Sequence, residues 1–109
     1  MPTDVRLEGP AMKLFEKAPS PISAETRRTA KALAVNPQAG ECVPLKDVLN
    51  KATRKTWTAR VGKITNLYKV ELRDGWRMLY TVGSRGPERI VLVLELVDHK
   101  QYERLMGHS

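Results

Sequence analysis

Two runs of alternating apolar and polar residues flank Arg73-Asp74-Gly75 in the middle of the chain, LYKVEL before and WRMLYTV after. A period of two, interrupted by Asp-Gly, is the pattern of a β-hairpin. Its register decides which side chains share a face. A two-residue Asp74-Gly75 loop would set Leu72 opposite Arg77 and Val70 opposite Leu79, mixing charge into each face. A three-residue loop, with Gly75 left-handed as a bulge, sets Leu72 opposite Trp76 instead. Tyr68, Val70, Leu72, Trp76, Met78, Tyr80 and Val82 then share one side, and Lys69, Glu71, Arg73, Arg77, Leu79 and Thr81 the other. Only this second register separates apolar from charged positions, because a slip of one residue inverts every side chain. The pattern therefore predicts the bulged loop.

The remaining elements follow from the same kind of reading. Thr3 to Leu7 alternates, with Val5 and Leu7 on one side, and predicts a short first strand. Gly9-Pro10 opens a helix, with proline in the first turn where its missing N–H costs nothing. Ala11, Leu14, Phe15 and Ala18 form its apolar stripe, and Pro19 stops it. Ser20-Pro21 restarts a helix, with Ser20 as N-cap, Glu25 near the positive end of the dipole, and Ile22, Thr29, Ala30, Leu33 and Ala34 facing inward. Asn36-Pro37 ends it. Ala39 to Val43 reads as loop with a short strand. Leu45, Val48, Leu49 and Ala52 have helical spacing, whereas Trp57, Ala59 and Val61 alternate. Helix is preferred from Leu45 to Lys63, with a break near Thr53 and Gly62 as C-cap. Gly83 to Pro87 is a second hairpin turn, and Arg89 to Val97 is a near-continuous apolar strand of the kind covered on both faces. Asp98 caps a last helix whose apolar side is Tyr102, Leu105 and Met106, ended by Gly107. The expected fold is α+β. It is a small twisted antiparallel sheet with a helical hairpin on one face and a short C-terminal helix, in one domain spanning 1–109.

Composition sharpens this in one direction. Nineteen Lys and Arg against twelve Asp and Glu give a net charge of +7, which favours a polyanionic partner, nucleic acid before an anionic membrane. Lys46, Lys51, Arg54, Lys55, Arg60 and Lys63 crowd one segment against a single acid, Asp47. They read either as a solvated helix face or as a ridge that faces phosphates and adds to the salt dependence of binding. The single cysteine, Cys42, excludes an internal disulfide and a Cys-cluster zinc site, and fits a reduced compartment. The longest apolar run, Ile90 to Val97, is too short to span a bilayer, and no basic-then-apolar signal opens the chain. A cytoplasmic location is expected.

Several chemistries lack their residues. His99 and His108 lie nine apart without clustered carboxylates, which suits no metal centre. No nucleophile elbow or phosphate-binding Gly-Lys-Ser/Thr ending is present, and no cofactor is expected. What remains is the charged hairpin face, Lys69, Glu71, Arg73 and Arg77, near whatever follows the last strand. Each of these residues also has an ordinary reading as solvated sheet or helix surface. Together they suit RNA cleavage, in which a 2′-hydroxyl loses a proton, a phosphorane is stabilised and a 5′-oxygen is protonated. Lys and Arg supply charge stabilisation, worth on the order of 10²–10³ in rate for one such donor. Glu71 or His99 could take the first proton and His99 or Tyr102 deliver the second.

The chain resembles the RelE/ParE toxin superfamily, in particular RelE-like proteins common in archaea. The resemblance is carried by Asn36-Pro37-x-x-Gly40 after the helical hairpin, by Asn66 to Leu72, by Gly75-Trp76-Arg77-Met78-Leu79-Tyr80, and by Asp98-His99-Lys100-x-Tyr102-Glu103-Arg104. It implies a twisted antiparallel sheet with two N-terminal helices on one side and a groove on the other. It also implies cleavage of mRNA on the ribosome and restraint by an antitoxin protein. Carried over by position, Lys69 and Arg77 match basic groove residues, Tyr102 matches a C-terminal tyrosine that stacks on or protonates substrate, and His99 falls where some relatives place a histidine. Glu71 departs from the pattern, standing where a second lysine is usual. No arginine ends the last strand; Lys100 is the substitute and Arg89 a remote one. The candidate cleavage residues are thus Lys69, Glu71, Arg77, His99 and Tyr102, with Arg73, Lys51, Arg54, Lys55, Arg60, Lys63 and Lys100 as candidate RNA contacts. The competing expectations are a ParE-like protein that binds DNA gyrase, and a non-catalytic RNA- or ribosome-binding module.

Overall fold

In the computed structural model, which describes residues 3–48 and 50–106, the central hairpin takes the register that separates its faces. Tyr68 pairs with Tyr80, Lys69 with Leu79, Val70 with Met78 and Glu71 with Arg77. The Leu72 N–H donates to the Trp76 carbonyl at 2.7 Å, closing the ladder around a three-residue loop. Gly75 has φ of 77°, as the bulge requires; Asp74 is left-handed as well, at φ 58° and ψ 31°. Aspartate tolerates that region better than most residues. The loop joins β3 (Tyr68–Glu71) to β4 (Arg77–Arg85).

Among the described residues, five strands form one sheet in the order β1-β5-β4-β3-β2, with β1 at Asp4–Leu7, β2 at Glu41–Cys42 and β5 at Glu88–Val97. The Gly86-Pro87 turn links β4 to β5, with Gly86 at φ 60°, the positive value primed hairpin turns need. The sheet is mixed and not wholly antiparallel. β1 lies parallel to β5, which the long excursion between them through the helices permits.

Both faces are covered, which explains the unbroken apolar run of β5. On one side α1 (Gly9–Lys17) and α2 (Ser20–Val35) place Ala11, Ile22 and Leu33 against Leu72, Met78, Tyr80, Val91, Val93 and Leu96. On the other, α3 (Lys51–Val61) and α4 (His99–Leu105) bring Trp57, Tyr102, Leu105 and Met106 against Leu67, Leu79, Leu94 and Val97. A bulge re-phases β5 between them. Leu79 pairs with Glu95 but Tyr80 pairs with Val93, so Leu94 and Glu95 both turn to the α3 side, where Glu95 accepts the Trp57 indole N–H at 3.0 Å. Each large apolar side chain buried in this way contributes roughly 1.5–3 kcal/mol.

Three local expectations change. Ser20 does not cap α2: Pro19 (φ −55°, ψ 147°) already supplies the extended N-cap backbone, and no side-chain cap bond forms. Glu25 lies beyond the first turn, and its carboxylate accepts the Arg73 N–H at 2.7 Å, tying α2 to the hairpin loop. The segment from Leu45 is not helical throughout and does not break at Thr53. A 3-10 turn spans Leu45–Asp47, and α3 starts only after Asn50, whose side chain accepts the Thr53 N–H at 3.1 Å. Trp57 is helical and buried, settling the second half, and Gly62 (φ 83°) is the C-cap. Leu49, Gly107 and His108 lie outside the described residues. No helix among the described residues is long and apolar enough to cross a membrane.

Candidate functional site

The face of the hairpin that meets α3 and α4 is apolar only as far as Leu79. Toward the loop it carries Lys69, Glu71 and Arg77, and the start of α4 reaches over to them. Asp98 sets that start through a capping box: its carboxylate accepts the Gln101 N–H at 2.8 Å, and the Gln101 side chain accepts the Asp98 N–H at 3.4 Å. Because Arg77 pairs with Val97 across the sheet, a helix capped by the next residue brings its first turns beside Arg77. His99 lies against Gly75 so closely that a Cβ on the glycine would come within 3.2 Å of the His99 Cβ.

The result is a cluster on one surface. The Arg77 guanidinium carbon lies 4.3 Å from the centroid of the Tyr102 ring, and the Lys69 ammonium 5.6 Å from the same centroid. Both are cation–π distances. Arg77 Nη1 donates to the Gly75 carbonyl at 3.0 Å and lies 3.2 Å from His99 Nδ1. A guanidinium only donates, so this contact is a hydrogen bond when Nδ1 is the unprotonated ring nitrogen. Nε2 faces Glu103 at 3.8 Å, an i,i+4 pair on α4. Glu71 stands between the cations, one oxygen 3.9 Å from Lys69 Nζ and 4.0 Å from Arg77 Nε. Glu41 of β2, paired across from Lys69 in the sheet, approaches its ammonium at 3.7 Å.

Exposure divides these charges by kind. The side chains of Lys69 and Arg77 are 18% and 16% exposed, those of Glu71 and Glu41 64% and 71%. The cations are fixed by packing on Tyr102, while the carboxylates are solvated partners whose ion pairs contribute little to stability. A cationic floor with movable anions can receive a phosphate.

The five candidate cleavage residues thus converge, with Lys69, Glu71, Arg77 and His99 gathered on one surface around the buried ring of Tyr102. The candidate RNA contacts scatter. Lys51, Arg54 and Lys55 form one stripe with Thr58 along the outside of α3, around a depression that none of the five lines. Arg60 turns back toward α1, where a Cβ on Gly9 would lie 2.6 Å from its Nη1, and its charge acts on Glu95. Lys63 follows the helix, while Arg73 and Lys100 sit exposed in the hairpin loop and the first turn of α4. Lys46 is better placed than the rest of its segment, lining a cavity of about 330 Å³ with Lys69, Tyr102, Glu41, Cys42 and Met106. Arg89, at the far end of β5, lines a different hollow with Tyr68 and Ser84.

Sequence reasoning missed Glu41 and Glu103. The i,i+4 spacing of His99 and Glu103 was readable; the pairing of β2 with β3 was not. The Asn36-Pro37-x-x-Gly40 motif also gains a reason. The Gly40 N–H donates to the Tyr80 hydroxyl at 2.9 Å, and a Cβ there would come within 2.6 Å of that oxygen.

No protein-family model matches the chain, and no curated protein matches it by sequence. Among solved structures the chain is similar to a double arginine-to-alanine mutant of the E. coli toxin RelE in the free state. The TM-score is 0.61 at 15% identity, over 98% of this chain and 97% of that one. The fold of this protein is therefore RelE-like along essentially its whole length.

Proposed function

We propose that this protein is the toxin of a toxin–antitoxin pair, an endoribonuclease that cuts mRNA on the ribosome. The observation that carries the reading is the convergence of Lys69 and Arg77 on the Tyr102 ring beside Glu71 and His99. The likeness of the fold to RelE supports it.

In this reading Glu71 takes the proton of a 2′-hydroxyl, whose oxygen attacks the adjacent phosphorus. Lys69 and Arg77 hold the phosphorane charge, which in a fixed and partly desolvated setting is worth on the order of 10²–10³ in rate for one donor. The P–O5′ bond breaks, leaving a 2′,3′-cyclic phosphate, and the departing oxygen takes its proton from His99 in the doubly protonated form, in which the Nδ1 contact with Arg77 is given up. Tyr102, only 8% exposed, serves chiefly as the platform that aims both cations. The stripe of Lys51, Arg54 and Lys55, with Lys63, Arg73 and Lys100, adds phosphate contacts remote from the cut. An antitoxin protein restrains the activity by covering the cluster.

Expression of the parent chain without its antitoxin should arrest growth, and Arg77→Ala should relieve the arrest. Equal arrest by both removes the assignment. Inhibition of DNA supercoiling by gyrase without mRNA cleavage would transfer the protein to the ParE-like reading.

A further inference from the structure

One atom in the cluster is out of place energetically. Arg77 Nε is buried and has no hydrogen-bond partner among the described residues. The nearest anion is the Glu71 oxygen at 4.0 Å, beyond hydrogen-bonding range, and that same oxygen lies 3.9 Å from Lys69 Nζ. A charge-assisted bond would be near 2.7–2.9 Å. Glu71 therefore sits midway between two fixed cations and bonds neither.

We infer that Glu71 is, in the free protein, the resident competitor for the seat between Lys69 Nζ and Arg77 Nε in which the proposed function places one tetrahedral phosphodiester group. A phosphate presents several oxygens around one centre, so one can reach the ammonium while another meets the guanidinium edge. A carboxylate projecting from the β3 backbone reaches toward both and stops short. The exchange is feasible because the cations are held by Tyr102 while the Glu71 side chain is 64% exposed and free to swing outward. Displaced, it stands beside the seat, where the proposed role of proton acceptor needs it. Glu71 then acts on affinity and on rate with opposite signs.

The identity of the anion as RNA phosphate rests on the proposed function, but the test does not require cleavage. Binding of a fully 2′-O-methylated oligoribonucleotide to the isolated protein at low salt is compared among the parent, Glu71→Gln and Glu41→Gln. Glu41→Gln removes the same charge, 3.7 Å from Lys69 but away from Arg77 Nε. Glu71→Gln, which removes the competing charge but keeps the side chain's size, should tighten binding about tenfold, a scale set by converting a long ion pair into charge-assisted bonds. Glu41→Gln should change it about twofold or less, as exposed pairs do. Adding Arg77→Ala to Glu71→Gln should abolish the gain, and the Arg77 Nε–H resonance should move when oligonucleotide is added. Equal gains from the two glutamine variants, a gain that survives loss of Arg77, or no binding by Glu71→Gln overturns the inference. Ribosomal cleavage that fails while these binding results hold would instead remove only the function proposed above.

Discussion

Arg77 and Met78 are neighbours on β4, yet they belong to different regions. Met78 is fully buried beneath α1 and α2, in a core of apolar groups. Arg77 faces the opposite side, where α3 and α4 cover Leu79 but leave the loop end to Lys69, Glu71, His99 and Tyr102. On one side of the hairpin the helices bury Leu72, Met78 and Tyr80 and leave an apolar fringe half-buried; on the other they bury Leu79 and leave the charged loop end open. The contrast teaches that the site is made by withholding cover: alternation supplies charge to one face of every such hairpin, and incomplete packing leaves it available.

The largest effects should separate these neighbours. Met78→Ala should cost roughly 2–5 kcal/mol through lost burial and a cavity, read as a lower denaturation midpoint, with residual activity following the folded fraction. Arg77→Ala should leave the fold in place and lower cleavage by on the order of 10²–10³. Comparable loss of stability in both variants would dissolve the distinction.

A smaller effect tests how the covered side is tied to the loop before β2. Tyr80→Phe removes the acceptor of the Gly40 N–H and should cost about 1–3 kcal/mol. Thermal melting of Tyr80→Phe and of a Gly40→Ala variant should show both destabilised, the second because its Cβ meets the Tyr80 hydroxyl.

How much of this was legible follows the same division. The register, the faces and the apolar stripes could be read because period and turn chemistry act locally: Leu72 must face Trp76 if charge is to stay off the α1 side. The register put Lys69 and Arg77 on one face, but spacing alone gave them an ordinary surface reading and Tyr102 a core one; the resemblance joined the three. What the sequence hid was tertiary. Asn50 rather than Thr53 breaks the segment before α3 because its side chain can cap the new helix, and Glu25 reaches the hairpin loop across 48 residues. The bulge that turns Glu95 toward Trp57 leaves no local mark in an apolar run.

Loss of the Asp98 cap should fall between the two regions. Asp98→Ala should cost about 1 kcal/mol, and because α4 carries both His99 and Tyr102 it should reduce cleavage more than its stability loss explains. Melting curves and cleavage rates on the same preparation check this.

The smallest effect concerns Glu95, on the covered part of the second side. Burial raises its pKa, with the Trp57 indole N–H and the Arg60 charge drawing it partly back. The folded state thus holds this proton more tightly than the unfolded chain does. Its contribution to stability is present in acid and declines as pH rises from the ordinary value of 4.5 through the folded one. Glu95→Gln keeps an acceptor for Trp57, so it should stabilise the protein at neutral pH and give no gain below the ordinary carboxylate range. A melting series across pH reads the difference.

The function proposed above has RNA cut at the uncovered end of the hairpin. Its most direct measurement is primer extension on mRNA held by purified ribosomes, with the parent chain and Arg77→Ala compared at equal folded concentration. Discrete cuts ending in 2′,3′-cyclic phosphate are expected with the parent and at least about a hundredfold fewer with the variant. Cuts of equal yield from both, or intact mRNA with a folded parent bound to the ribosome, would contradict it.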